Sequence, residues 1–186
     1  MTRRLWCVCV LLALAGCAGT PERVATSPVA FRPVETRFEL AGRMAASNGE
    51  DALSGKFSWQ HTPDRDQWDF FSPLGQVVAR LSRQGDQASL VTSDGQRFDE
   101  PFQQLVSRVL GMSVPVSALP RWVQAGVVAN EDVRELDAMG RPQKIIDSGW
   151  LVRYPSYASD RPDARPRVIE LSRGEANLKL VIDSWQ

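Results

Sequence analysis

Apolar and polar residues alternate along most of the chain. Phe38, Leu40, Gly42 and Met44 take every second position against Arg37, Glu39, Ala41 and Arg43. Leu53, Gly55, Phe57 and Trp59 do the same against Ser54, Lys56, Ser58 and Gln60. Trp68 with Phe70, then Val77, Ala79 and Leu81, then Ala88 with Leu90 continue the pattern. A period of two gives a strand one apolar and one wet face. The intervening turns, at 61–66, 72–75, 84–86 and 93–95, are short, which predicts antiparallel neighbours. After Gly149 the alternation returns in Trp150, Val152 and Tyr154, around 167–171, and in Leu178, Leu180 and Ile182.

Between these two runs the period changes. Phe102, Leu105, Val106, Val109 and Leu110 share one face of a helix, with Asp99 or Glu100 placed to cap it, Pro101 in its first turn and Gly111 to end it. A second helix is expected from about Ser117, with Pro120 in its first turn, Leu119, Trp122 and Val123 on one face, and Gly126 as its stop. Neither is long enough to be stable alone, so each must lay its apolar side on the sheet. The expected fold is mainly β (α+β): a curved antiparallel sheet whose concave side is covered by short helices.

The N-terminus carries a different signal. Arg3 and Arg4 precede an apolar stretch from Leu5 to Leu14, and Leu14-Ala15-Gly16-Cys17 follows. The stretch falls short of the roughly 20 residues of a permanent membrane span. Its ending resembles a lipobox, in which the cysteine thiol takes a diacylglyceryl group and cleavage just before it frees the amine for an N-acyl chain. Residues 1–16 are therefore expected to be a lipoprotein signal peptide and Cys17 the lipid anchor. Residues 17–36, rich in Pro, Ala, Thr, Ser and Val, read as a tether spanning roughly 25 Å as a coil. Residues 37–186 form one domain. Ala18 follows the cysteine in place of the aspartate that retains such proteins at the inner membrane, so the expected location is the outer membrane, facing the periplasm. Cys7 and Cys9 fall in the discarded segment, so no internal disulfide is expected.

Composition excludes several functions. Charge is balanced at 22 basic and 22 acidic residues, and removing Arg3 and Arg4 leaves 20 against 22. No basic stripe invites nucleic acid. No phosphate loop or metal-ligand spacing is visible, so no metal, catalytic residue or cofactor other than the covalent lipid on Cys17 is expected. The lone histidine, His61, reads as a solvated turn residue, and Asp64, Arg65 and Asp66 as a solvated cluster. Two features stand out. Trp59, Trp68, Trp122, Trp150 and Trp185, with Phe38, Phe57, Phe70 and Tyr154, either fill a large core or line a cavity for an apolar ligand. The turn Ser72-Pro73-Leu74-Gly75 carries a leucine at its tip where polar residues are usual.

From Phe38 to Trp185 the chain resembles the LolB family of outer-membrane lipoproteins. The likeness is carried by Leu40-Ala41-Gly42-Arg43, Gly55-Lys56-Phe57-Ser58-Trp59, Ser72-Pro73-Leu74-Gly75, Gly111-Met112-Ser113-Val114-Pro115, Leu119-Pro120-Arg121-Trp122 with Gly126, and the ending Leu178–Trp185. The Phe70-Phe71 pair is bulkier than the family pattern before the turn. The resemblance implies an incomplete antiparallel barrel closed by helices over a hydrophobic cavity. It also implies a receptor that accepts lipidated cargo proteins from the periplasmic carrier LolA and releases them into the outer-membrane lipid. On it, Trp59, Trp122 and Trp150, joined by Phe57 and Tyr154, belong to the acyl-chain cavity. Leu74, flanked by Pro73 and Gly75, is the protruding delivery residue. A monomer is expected. An assembly lipoprotein that docks a protein partner and a lipid-processing enzyme are the competing readings.

Overall fold

The computed structural model describes residues 33–128 and 132–186. The signal peptide, Cys17 and the tether as far as residue 32 lie outside them. The elements run β1 (Phe38–Ser47), β2 (Ala52–Thr62), β3 (Arg65–Phe71), β4 (Val77–Gln84), β5 (Gln87–Thr92), β6 (Arg97–Asp99), α1 (Phe102–Leu110), α2 (Leu119–Trp122), β7 (Val133–Leu136), β8 (Pro142–Asp147), β9 (Trp150–Tyr157), β10 (Pro166–Arg173) and β11 (Ala176–Trp185). All eleven strands form one antiparallel sheet in the order β6-β5-β4-β3-β2-β1-β11-β10-β9-β8-β7. The first and last strands pair near its middle, and the helical segment connects its two edge strands. The sheet is curled but not closed, because β6 and β7 remain edges.

Close pairing at the centre depends on a glycine. A bulge between Ala41 and Gly42 shifts the register against β11, and a Cβ on Gly42 would lie 2.1 Å from the Val181 carbonyl oxygen. Only a residue without a side chain fits this approach. The alternating residues then fall on the concave side, where Phe38, Leu40, Met44, Phe57, Trp59, Trp68, Phe70, Leu81, Val152, Ile169, Leu171, Leu178, Leu180 and Ile182 are buried with the apolar faces of the helices.

Several expectations need correction. Val77 does not join Ala79 and Leu81 on the buried face: a register shift between Phe70 and Phe71 turns it outward, and it is 39% exposed. The strands β6, β7 and β8 escape the alternation rule. The first has three residues, and the register of β7 slips at both Val133/Glu135 and Glu135/Leu136. In β8 only Pro142 and Ile145 are buried. No side chain caps α1, whose N-cap is Pro101. Asp99 and Glu100 instead pair with Arg97 and Arg108. Gly111 does end α1, with φ 68°. The second helix is four residues long and starts at Leu119. Ala125, with φ 55°, makes the left-handed turn expected of Gly126. Gly126 serves packing: a Cβ there would meet Val34 at 2.4 Å and Arg121 at 2.7 Å.

The domain's contacts also begin ahead of residue 37. The buried Gln124 accepts from the Glu35 amide and donates to the Glu35 carbonyl, both at 2.9 Å, and Arg165 pairs with the Glu35 carboxylate.

Candidate functional site

The concave interior holds two aromatic groups built by different elements. Register sets the first. Trp59 of β2 faces Trp68 of β3, and Phe57 faces Phe70. The two indoles lie 4.6 Å apart, Phe57 is 6.5 Å from Trp68, and Phe38 meets Trp59 edge-on at 4.9 Å. Tertiary packing sets the second. Trp122 comes from α2, Trp150 and Tyr154 from β9, and the Trp122 and Trp150 rings lie 6.3 Å apart. The five aromatic residues assigned to a cavity from the sequence, Phe57, Trp59, Trp122, Trp150 and Tyr154, are thus brought onto one concave side. All are buried and packed against other core residues.

Each group is fastened by an aspartate. Asp66 is 3% exposed. It accepts from Trp59 Nε1 at 2.9 Å, His61 Nδ1 at 2.7 Å and Arg83 Nε at 2.6 Å. Burial pushes its carboxyl pKa up, but the hydrogen bonds from His61, Trp59 and Arg83 and the charge of His61 outweigh this and hold it below the ordinary carboxylate value. The reading of Asp66 and His61 as solvated turn residues is therefore wrong. Both lie within strands, where Asp66 points inward and His61 stacks on Phe38 at 4.9 Å. In the second group Asp147 accepts from Trp122 Nε1 at 2.6 Å and from Arg121. The Tyr154 hydroxyl donates to the Trp122 carbonyl at 3.0 Å. Burial, followed by the charge of Tyr157, raises the Tyr154 pKa well above its usual value, which keeps this donor protonated.

Apolar space opens at one end of the interior. A cleft of about 460 Å³ lies between α1 and the strands β1 to β6, lined by Met44, Leu53, Phe70, Leu90, Phe98 and Val109 among others. That volume lies within the roughly 300–1,000 Å³ usual for ligand sites. The turn between β3 and β4 stands at the same end of the sheet. The Gly75 amide donates to the Ser72 carbonyl at 2.9 Å, and the Ser72 amide to Gln76 at 2.8 Å. Pro73 occupies the second turn position, and Gly75 takes φ 82°. Leu74, held between them, has no way inward and is 88% exposed. The turn thus groups Pro73, Leu74 and Gly75 as the sequence groups them, outside the aromatic interior.

The outer-membrane lipoprotein LolB family model matches residues 36–185, the whole sheet with both helices. The chain belongs to the LolB family. A relative from Azoarcus sp. (strain BH72), the outer-membrane lipoprotein LolB, is 45% identical over 179 residues, covering 96% of this chain and 92% of its own. Its namesake from Nitrosomonas europaea is 35% identical over 202 residues, covering 100% and 93%. Among solved structures, a LolA superfamily protein from Nitrosomonas europaea aligns with a TM-score of 0.51 at 8% identity, over 84% of this chain and 87% of that one. An outer membrane lipoprotein-sorting protein domain from Vibrio parahaemolyticus aligns with a TM-score of 0.50 at 11% identity, over 81% and 84%. Likeness at such identities establishes the fold alone. LolB membership makes this protein an outer-membrane lipoprotein with a receptor role in lipoprotein sorting, and not an enzyme. No helix among the described residues is long and apolar enough to cross a membrane.

Proposed function

We propose that this LolB-family protein takes lipoproteins from a LolA-type carrier, shelters their acyl chains between sheet and helices, and releases them into the outer membrane through Leu74. Cys17 carries the diacylglyceryl and N-acyl groups that keep it there. The observation that supports this reading is the pairing of an aromatic interior under two short helices with a single leucine held outward on a hydrogen-bonded turn.

The helices give the chains a way in. The four-residue α2 is tied to the sheet by the Asp147 contacts and the Tyr154 hydroxyl. Parting it from the sheet separates Trp122 from Trp150 and Tyr154, while Phe57 and Trp59 remain on the sheet as the opposite wall. Transfer needs no nucleotide. Each acyl methylene is worth about 0.8 kcal/mol when removed from water, but a chain passing directly from one apolar interior to another never meets that cost. Only the difference between the two interiors drives the step. At the membrane, Leu74 contributes about 1.5–3 kcal/mol on leaving water, which favours the state in which the cleft faces lipid. Pro73 and Gly75 position it. The protein acts as a monomer, and its anchor raises local concentration without entering the transfer step.

The test is transfer of a lipidated protein from purified carrier to the mature chain carrying Cys17→Ser, followed by pull-down without nucleotide. Movement of cargo supports the receptor. The closely packed interior also suits an assembly lipoprotein that docks a protein partner, and a folded chain that takes no cargo selects that alternative.

A further inference from the structure

A buried indole N–H that finds no acceptor has given up its hydrogen bond to water for nothing, so each such group calls for an explanation. The interior contains two indole pairs, and both are satisfied in the same one-sided way. In the first, Trp59 donates to Asp66, whereas Trp68, 4.6 Å away and 5% exposed, meets no acceptor among the described residues. In the second, Trp122 donates to Asp147, whereas Trp150, 6.3 Å away and fully buried, meets none. The neighbouring aspartates are already committed. The oxygens of Asp66 accept from Trp59, His61 and Arg83, and those of Asp147 from Arg121, Trp122 and Ser148. The Arg173 guanidinium sits 4.9 Å over the ring of Trp150, on its face, and brings no acceptor. A third unpartnered indole, Trp185, lies at the end of β11 under Arg165, where Phe38 stands between it and Trp59.

We infer that Trp68 and Trp150 are hydrogen-bond donors to the ester carbonyls at the head of a bound diacylglyceryl lipid. The inference rests on the reading that acyl chains enter this interior. An alkyl chain offers no acceptor, but the ester that joins it to glycerol does, and a diacylglyceryl group carries two. The route to one of the free donors is visible. Phe70 lines the 460 Å³ cleft beside the 72–76 turn, and its ring lies 6.1 Å from that of Trp68. Trp68 lies behind Phe70 and does not itself line the cleft, so a chain lying there with its head toward Phe70 reaches the Trp68 N–H as the Phe70 ring swings aside. The second chain's ester meets Trp150 once α2 has moved. The division of labour follows: Trp59 and Trp122 are fixed by aspartates and shape the walls, while Trp68 and Trp150 recognise the one polar feature that every esterified lipid shares. The interior therefore distinguishes esters from ethers, which match them in length and apolar area.

The experiment uses the mature chain with Cys17→Ser and ¹⁵N-labelled indoles, titrated with dioctanoylglycerol and with its diether counterpart, di-O-octylglycerol. The ester lipid is expected to bind about tenfold more tightly, the effect of two neutral hydrogen bonds. The Nε1–H resonances of Trp68 and Trp150 are expected to move downfield with the ester only, while those of Trp59 and Trp122 stay in place. Trp68→Phe and Trp150→Phe keep an aromatic ring without the donor, and each removes part of the ester preference. The wild-type spectrum provides the answer even if a variant folds poorly. Equal affinity for the two lipids with the same spectral response overturns the hydrogen-bonding role and leaves acyl-chain binding standing. Binding of neither lipid overturns the reading beneath it as well.

Discussion

The hairpin of β3 and β4 joins a buried residue to an exposed one. Trp68 is almost completely buried and Leu74 almost completely exposed, although they share one short stretch of chain. The side chains of β3 follow the pleat, so alternate residues enter the core whatever their neighbours do. In the turn the pleat has ended, and Pro73 together with the left-handed Gly75 decides where Leu74 points. One region is governed by burial and the other by backbone geometry. A change in the interior should therefore appear first as lost stability. A change at the tip should leave stability alone and appear only in delivery.

Substitutions can break that comparison in order of size. Trp122→Ala removes the largest buried side chain of α2, and an expected loss of about 3–5 kcal/mol follows from the cavity it leaves. Denaturant unfolding measures it. Asp66→Ala should cost about 3 kcal/mol, because it strands the indole N–H of Trp59 and the guanidinium of Arg83. The effect has a signed pH dependence. The Asp66 carboxyl is held below its ordinary value of 3.8. Its stabilising contribution is complete above that value and disappears as pH falls through the lower folded-state value. The difference between wild type and Asp66→Ala should therefore be full at pH 7 and shrink as pH falls below 3.8, as unfolding curves at several pH values would reveal.

The turn gives smaller numbers. Gly75→Ala forces a side chain into the left-handed region, at an expected cost of about 1–2 kcal/mol. It should also redirect Leu74, so delivery falls more than the stability loss explains. Leu74→Glu should change stability by less than about 0.5 kcal/mol, since an exposed tip touches nothing that folding requires. If Leu74→Glu destabilised the domain as much as a core substitution does, the separation of the two regions would fail.

Much of this arrangement is legible in the residue pattern. The strict alternation of Phe38–Met44, Leu53–Trp59 and Leu178–Ile182 identifies central strands, and the Pro-x-Gly pattern identifies the 72–75 turn. The outer strands are not legible, because β7 and β8 are irregular and carry few buried apolar residues. Asp66 is hidden for another reason. Beside Asp64 and Arg65 it looks like one charge among several, and only the register of β3 turns its carboxylate inward. The proximity of Trp122 and Trp150 depends on how α2 lies over the sheet, which no local pattern records. Leu74 is conspicuous in the sequence, yet its meaning comes from the family resemblance, because a lone exposed leucine is common on protein surfaces. Nothing local in the sequence marks Gln124 as the residue that holds Glu35.

The most direct test of the account is a two-stage transfer assay on Leu74→Glu. A lipidated cargo is moved from carrier to receptor, and the loaded receptor is then offered outer-membrane-like vesicles. The account predicts normal uptake in the first stage and cargo stalled on the receptor in the second. Delivery to the vesicles at the wild-type rate would contradict it, because the exposed turn would then have no part in release.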